Sequence, residues 1–366
     1  MKSWLPLLTL MLLPMAAACS SAESSDFSGP VSGAYGEQRD RTFLAQARRK
    51  LAAGDTRGAR ADLAQLSPEA PAAPLHLLLA EAALRDGDPY TAQEEIAAAA
   101  DLDPDNPQID MLRGMIAEST GNWVDASRAY ELASSKDPSQ TDSVLANVRA
   151  LHAMGDAVRA AAYLERQLGM HPRSFDLQLA AGRTYMALES WQDAVGSLSS
   201  ALDLRPQEDV VRLDLVLALS LGGSHKEALD RSGDLRPEDM SATVQLALGR
   251  SALLTGDSSR AITLLSSYVH VADRDSDAQM DLARAYYLNQ DLDLALASVG
   301  RVLKASPQNP AAFTLLGHVR LKSGQKDLAR AAYERAIYAG GDALTLTRLM
   351  EAIDRGQFDE QEIGER

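Results

Sequence analysis

The sequence has little of three things that many functions require: cysteine, basic charge and aromatic side chains. One cysteine in 366 residues excludes an internal disulfide framework and a zinc site with several thiolate ligands. The net charge of −15 argues against nucleic acid as a partner, because phosphate binding needs a surplus of lysine and arginine. Aromatic residues are 5% of the chain and hydrophobic residues 46%. Since alanine and leucine carry most of that apolar content, the composition favours helices.

The sequence also lacks any arrangement that is typical of an enzyme site. No two of its six histidines are spaced as helical metal ligands, and there is no phosphate-binding glycine loop or nucleophile elbow. The histidines are predicted to be surface or edge residues. We therefore expect no enzymatic activity, no cofactor, no metal and no small-molecule substrate. An enzyme with an unrecognised site is kept as an alternative.

Residues 1–19 have the pattern of an export signal. Lys2 precedes an apolar run from Leu5 to Met15, which is too short to span a membrane, and three alanines lead directly to Cys19. The pattern resembles the lipobox of bacterial lipoproteins, although Ala16 stands where that family more often has leucine. The resemblance implies that 1–18 is a signal peptide and that Cys19 carries the lipid, palmitate included. The alternative is an ordinary secretory signal with an incidental cysteine.

The residues around the cysteine also suggest a location. Ser20 follows Cys19 where an aspartate would resemble an inner-membrane retention signal, so the resemblance implies an outer-membrane lipoprotein that faces the periplasm. Residues 19–39 are rich in serine and glycine and are predicted to be a flexible, lipidated tether.

The rest of the chain consists mainly of one repeated sequence motif. An alanine recurs nine times at steps of 33 or 34 residues, and a glycine stands five residues before it in seven of the nine copies. The alanines are Ala59, Ala92, Ala126, Ala160, Ala194, Ala228, Ala261, Ala295 and Ala329. The glycines are Gly54, Gly87, Gly121, Gly155, Gly223, Gly256 and Gly324, with Glu189 and Gln290 at the two remaining places.

This repeated motif predicts an antiparallel helical hairpin. Glycine accepts the left-handed conformation that ends a helix, and the next residue, mostly Asp, Asn or Ser, can cap the following helix. The alanine four residues after that cap allows two helix backbones to approach closely. Proline closes the second helix in six copies.

These spacings resemble the tetratricopeptide repeat. The copy with Gly114, Gly121, Ala126, Tyr130 and Pro138 matches its pattern well. The resemblance implies an all-α, right-handed α-solenoid of about nine helical hairpins over residues 40–343. A capping helix and a polar tail are predicted over 344–366, and an irregularity over 230–241, where the repeat is one residue short.

In that family the first helix of each hairpin lines a concave groove, with repeat positions 2, 5, 9, 12 and 13 facing inward. Position 9 holds five arginines here, and positions 12 and 13 are often apolar. The predicted partner-binding residues are Arg48, Arg149, Arg183, Arg250, Arg284, Met186, Leu253 and Tyr287. Guanidinium groups beside apolar side chains suit a peptide that carries carboxylates. The alternative is that the arginines pair with acidic neighbours such as Asp176, Asp277 and Asp281.

The predicted function is a lipid-anchored periplasmic scaffold that binds envelope proteins or peptides. The resemblance extends to tetratricopeptide lipoproteins of pilus and secretion assembly, such as Tad-pilus lipoproteins and secretin pilotins. An adaptor for peptidoglycan-remodelling enzymes or proteases is an alternative, and no residue chooses among these machines.

The lipobox reading gives a direct test. We expect Cys19→Ser to abolish lipidation, because the thiol is the atom that would carry the lipid, and to leave the protein soluble or unprocessed. Membrane fractionation after labelling with palmitate measures this, and label retained by the serine variant would contradict the lipobox.

Overall fold

The computed structural model describes residues 30–233 and 235–355, and the regular secondary structure there is entirely helical. The described residues form nineteen α-helices and one short 3₁₀ helix over Pro237–Asp239. The α-helices are α1 Pro30–Ala52, α2 Thr56–Leu63, α3 Ala72–Arg85, α4 Pro89–Leu102, α5 Pro107–Ser119, α6 Trp123–Lys136, α7 Thr141–Ala153, α8 Ala157–Met170, α9 Phe175–Ala187, α10 Trp191–Leu204, α11 Asp209–Leu221, α12 His225–Ser232, α13 Ala242–Thr255, α14 Ser258–Val271, α15 Ser276–Leu288, α16 Leu292–Ala305, α17 Pro310–Lys322, α18 Lys326–Tyr338 and α19 Ala343–Asp354.

The chain divides into two compact units after Pro104. The first contains α1–α4, which form two hairpins, and the second contains α5–α19, which form seven hairpins and a last single helix. Within each unit, consecutive helices pack against each other. The predicted all-α class, nine hairpins and final capping helix are therefore confirmed.

The register of the repeat is confirmed at its most constrained positions. All nine repeat alanines are completely buried, because each lies where the second helix of a hairpin crosses the first. All seven repeat glycines have positive φ, and the two non-glycine residues with positive φ are Glu189 and Gln290, which replace glycine in the sequence pattern. The pattern thus identified the left-handed turn in every hairpin, including the two where it is strained.

The residue after each of these turns is the N-cap of the following helix. The side chain makes the capping hydrogen bond in five hairpins, and these residues are Asp55, Asp88, Asn122, Asp156 and Asp257. Each accepts from a backbone N–H of the first turn, which satisfies a donor that the helix itself leaves unpaired.

The irregularity predicted over 230–241 is confirmed. Helix α12 ends at Ser232 after eight residues, and Gly233 adopts φ 45° and ψ −114°. The chain then passes through the 3₁₀ helix, and Met240 is buried in the core. Gln245 on α13 donates to the carbonyls of Pro237 and Met240 and so holds the irregular segment against the next hairpin.

The structure differs from the prediction at the start of the repeats. Helix α1 begins at Pro30, so residues 30–39, expected to belong to the flexible tether, are helical. Extending a helix that is already packed costs little compared with nucleating one, and proline is compatible with a first turn. The signal peptide, Cys19 and tether residues 19–29 lie outside the described residues, as does the polar tail at 356–366.

Helix α2 is also shorter than the repeat pattern predicts. It ends at Leu63, well before Pro71. Ser67 is bound to α1, because its backbone N–H and its hydroxyl both donate to the buried carboxylate of Asp40. Backbone hydrogen bonds continue to Leu66, whose N–H donates to the carbonyl of Leu63, and the Asp40 carboxylate then holds Ser67.

The hairpin formed by α9 and α10 supplies a matched test of this close packing. A Cβ added at Gly182 would lie 2.5 Å from Cγ of the buried Leu198, whereas a Cβ added at Gly196 would meet nothing within 4 Å. We expect Gly182→Ala to destabilise the protein by about 1–3 kcal/mol through overpacking. Gly196→Ala should stabilise it by about 0.5–1 kcal/mol, because alanine is the better helix former.

Urea denaturation measures both changes, and hydrogen exchange locates the loss in α9 and α10 because repeats contact mainly their neighbours. Equal stability of the two variants would contradict the helix crossing described here.

Candidate functional site

The second unit contains an open groove of about 780 Å³. It is lined by α13, α15 and α17, the first helices of three consecutive hairpins, and by Gly341 and Asp342 just before α19. We call it the α13–α19 groove. Its lining residues are Arg250, Leu253, Leu254, Met280, Asp281, Arg284, Tyr287, Leu288, Pro310, Ala311, Thr314, Leu315, His318, Gly341 and Asp342.

The groove brings together four of the eight predicted binding residues: Arg250, Leu253, Arg284 and Tyr287. Arg149, Arg183 and Met186 lie on α7 and α9 of the same unit, outside this lining, and Arg48 lies on α1 of the first unit. Half of the predicted residues therefore line this groove, and their role in binding stays a prediction.

Sequence reasoning did not single out Met280, Leu288, Ala311 and Thr314 as site residues. All four occupy repeat positions 2, 5 or 13, which face inward in the repeat pattern. The signal was therefore available once the register was applied to every first helix, but their side chains carry no charge that draws attention to them.

The floor of the groove is apolar and partly open to solvent. Leu254 is 70% exposed and Leu288 is 39% exposed, whereas Tyr287 is buried. Large apolar side chains gain free energy when a partner covers them. Two exposed leucines on neighbouring first helices therefore make this surface suited to binding.

One carboxylate connects the two arginines of the groove. Nε of Arg250 lies 2.8 Å from Oδ2 of Asp281, and Nη1 of Arg284 lies 3.5 Å from its Oδ1. Two guanidinium groups thus share the carboxylate of Asp281, and the carboxylates of Asp275 and Asp342 lie near the same cluster. The Nζ of Lys322 lies 4.9 Å from the ring centroid of Tyr287 and is a third cationic group nearby.

Two of the predicted arginines outside the groove also form ion pairs with acidic neighbours, which is the alternative role considered for them. Nε of Arg183 lies 2.8 Å from Oδ2 of Asp214, and Nη2 of Arg149 lies 3.6 Å from Oε2 of Glu118. Each pair joins the first helices of consecutive hairpins. Asp281 was anticipated as such a partner, whereas Asp214 and Glu118 were not.

A cluster of rings forms the end of the groove nearest α18. His318 lies between Tyr287 and the buried Tyr333, with ring centroids 6.2 Å and 5.6 Å away. Burial lowers the pKa of His318 from 6.5 to about 4, because the cationic imidazole would lose its hydration. His318 is half-buried at the edge of the groove, and its lowered pKa keeps it neutral at pH 7.

Within 30–233 and 235–355, no three His, Cys, Asp or Glu side chains are grouped so that they could hold a metal ion. No helix in that part of the chain is both long enough and apolar enough to cross a membrane.

Family models of the tetratricopeptide repeat match most of the second unit and part of the first. One model matches residues 77–141 and 246–310, a second matches 151–213, and a third matches 310–339. Together the matches cover more than half of the chain, and all three models describe this one repeat. A search of curated proteins found no significant match.

Several solved structures are similar to this chain at low sequence identity. The C-terminal part of a repeat-containing protein from Cytophaga hutchinsonii is 16% identical, with a TM-score of 0.47, over 75% of this chain and 99% of that one. A tetratricopeptide repeat protein from Parabacteroides merdae is 14% identical, with a TM-score of 0.42, over 67% and 97%. MamA from Desulfovibrio magneticus is 19% identical, with a TM-score of 0.38, over 44% and 90%.

The depressed pKa of His318 predicts a pH dependence of stability. Between pH 6.5 and 4 the unfolded chain binds a proton at this residue that the folded chain does not. The contribution of neutral His318 to the free energy of unfolding is therefore complete above pH 6.5. As the pH falls from 6.5 to 4, this contribution decreases by at most about 1.4 kcal/mol per pH unit. NMR titration of the imidazole resonance that disappears in His318→Phe measures the pKa directly. A midpoint near 6.5 would contradict the burial of this ring.

Proposed function

The chain belongs to the tetratricopeptide-repeat family, and on that premise we propose that it is a scaffold whose α13–α19 groove holds a segment of a partner protein. The observation that carries the proposal is the pair of solvent-exposed leucines, Leu254 and Leu288, on adjacent first helices of this groove. Exposed leucines at inward positions gain free energy when a partner buries them.

The charges of the groove favour a segment that combines apolar side chains with carboxylates. Arg250 and Arg284 keep about half of their side-chain surface exposed although both contact Asp281. A carboxylate of the partner can therefore reach a guanidinium group without displacing Asp281. The apolar floor supplies affinity, and the arginines select for negative charge and fix the position of the segment.

We further propose that the scaffold works in the bacterial envelope as a lipid-anchored protein. The support is the pattern of residues 1–19, in which the only cysteine follows three alanines. A role in assembling a pilus or secretion complex fits an anchored scaffold of this kind. The same scaffold could serve as an adaptor for peptidoglycan-remodelling enzymes or proteases, and the identity of the captured partner separates these roles.

Substitution of the two exposed leucines tests the groove. We expect Leu254→Glu combined with Leu288→Glu to lower recovery of the partner from detergent-solubilised envelopes by at least about tenfold. The charges would prevent an apolar segment from covering the floor, and a loss of about 1.4 kcal/mol already corresponds to that factor. Quantitative mass spectrometry of captured proteins measures the recovery.

A control with the same chemistry lies on second helices of the same unit. Leu132 on α6 and Leu328 on α18 are 46% and 53% exposed, and Leu132→Glu combined with Leu328→Glu adds the same charge away from the groove. The control should recover the partner as the unaltered chain does. Equal recovery by both double variants would place the interaction outside the groove and contradict the proposal.

A further inference from the structure

We propose that the end of the α13–α19 groove nearest α18 is a subsite for an uncharged amide side chain, asparagine or glutamine, of the partner segment. The inference rests on the proposed function, because it concerns the same groove. It adds a residue that determines specificity, His318, and the chemical class of the side chain that this residue recognises.

His318 lines the groove without a polar partner. Its ring is half-buried between those of Tyr287 and Tyr333, and neither of its nitrogens forms a hydrogen bond or an ion pair within 30–233 and 235–355. Four other histidines each have a hydrogen-bond partner: His76 with Glu95, His152 with Thr184, His171 with the carbonyl of Pro138, and His225 with Ser251. A neutral imidazole has one donor and one acceptor nitrogen, so His318 offers both to a ligand.

A second unpaired polar group lies next to this ring. Tyr333 is completely buried, and among the described residues its hydroxyl has no hydrogen-bond partner. Burial raises the pKa of this hydroxyl, and Tyr287 is close enough to raise it further, so the group is uncharged and lies near the groove lining. A buried polar group without a partner costs free energy. This end of the groove therefore lacks polar atoms that a ligand can supply.

An equivalent hairpin shows that the unpaired hydroxyl is not a requirement of the fold. Tyr130 on α6 occupies the same repeat position as Tyr333, and each ring packs against a glycine of the first helix. The Tyr130 hydroxyl donates to the Glu118 carboxylate on α5. The residue of α17 at the repeat position of Glu118 is Leu321, which has no acceptor. The chain thus satisfies the tyrosine of one hairpin and leaves that beside the groove unpaired.

An amide side chain matches these unpaired groups. It carries a donor and an acceptor, so it can bond to His318 whichever imidazole nitrogen holds the proton. An apolar side chain of similar size would cover His318 and leave its nitrogens without water or any other partner. Sites built to form hydrogen bonds reject such analogues strongly, because the polar groups of the site are then buried and unpaired.

The surroundings of His318 disfavour a charged side chain at the same place. Burial lowers the pKa of His318 to about 4, which reflects the cost of a charge on this ring, and a carboxylate buried against it would meet the same cost. The ammonium of Lys322 lies near Tyr287, and the carboxylate of Asp342 belongs to the groove lining. Since these two charges have opposite sign, they favour neither an anionic nor a cationic ligand.

Peptide selection tests the subsite directly. A phage-displayed library of random dodecapeptides is selected on the immobilised full chain, and a selected peptide is synthesised with a fluorescein label. We expect an asparagine or glutamine at one fixed position beside apolar residues. Changing that amide residue to leucine, or to the corresponding acid at pH 7, should weaken binding at least tenfold in fluorescence anisotropy. Equal affinity of the amide, leucine and acid peptides would overturn the proposal.

Variants of His318 assign the preference to this residue. His318→Phe keeps an aromatic ring between the two tyrosines, and His318→Met copies Met115, which has the same repeat position in α5. Both should bind the amide and leucine peptides with equal affinity. His270→Phe, at an exposed position on α14, should keep the tenfold difference. Circular dichroism verifies that the variants are folded, and a preference retained by both His318 variants would overturn the proposal.

The groove leucines separate this inference from the proposed function. Leu254→Glu combined with Leu288→Glu should abolish binding of the amide peptide and of its leucine form alike, because both use the apolar floor. If the selected peptides require these leucines but show no preference for an amide, only the present inference falls. If the peptides bind the double variant as well as the unaltered chain, the proposed function falls with it.

Discussion

The whole structure depends on the close approach of two helix backbones at one alanine in each hairpin. All nine of these alanines are completely buried, so a larger side chain at any of them would have to displace packed neighbours. The opposite side of the same crossing is equally restricted, since Gly114 and Gly317 face the rings of Tyr130 and Tyr333. Small residues on one helix and a large side chain on the other thus set how the two helices of each hairpin pack. This packing determines which face of each first helix points inward.

Charge pairs between first helices add a second, weaker constraint. Arg183 with Asp214 and Arg250 with Asp281 occupy the same repeat positions and are each separated by 31 residues. Partly exposed ion pairs contribute little to stability. These pairs hold the guanidinium groups along the inner surface. Each arginine remains partly exposed beside its carboxylate, so another molecule can still contact it. An arginine can in this way belong both to the fold and to a binding surface.

The groove places two exposed leucines, Leu254 and Leu288, on neighbouring first helices. Most large apolar side chains of the second unit pack in the cores between helices, and other exposed leucines, such as Leu132 and Leu328, lie on second helices. At the end of the groove, burial keeps His318 neutral, so this wall is an uncharged aromatic surface at physiological pH. The combination of apolar floor, aromatic end and shared arginine pair makes this surface selective for a segment of mixed character.

The sequence by itself determined the hairpins, their turns, the irregular segment after Ser232 and the last helix, because each depends on a local requirement that a few residue types satisfy. Left-handed turns need glycine or tolerate strain, as at Glu189 and Gln290, and helix crossings need alanine. Only the tertiary structure decided that four of the predicted binding residues share one groove, that Asp214 and Asp281 pair with arginines 31 residues earlier, and that His318 lies half-buried between two tyrosine rings. These depend on which side chains of different hairpins meet, and the spacing within one repeat contains no information on the space between repeats.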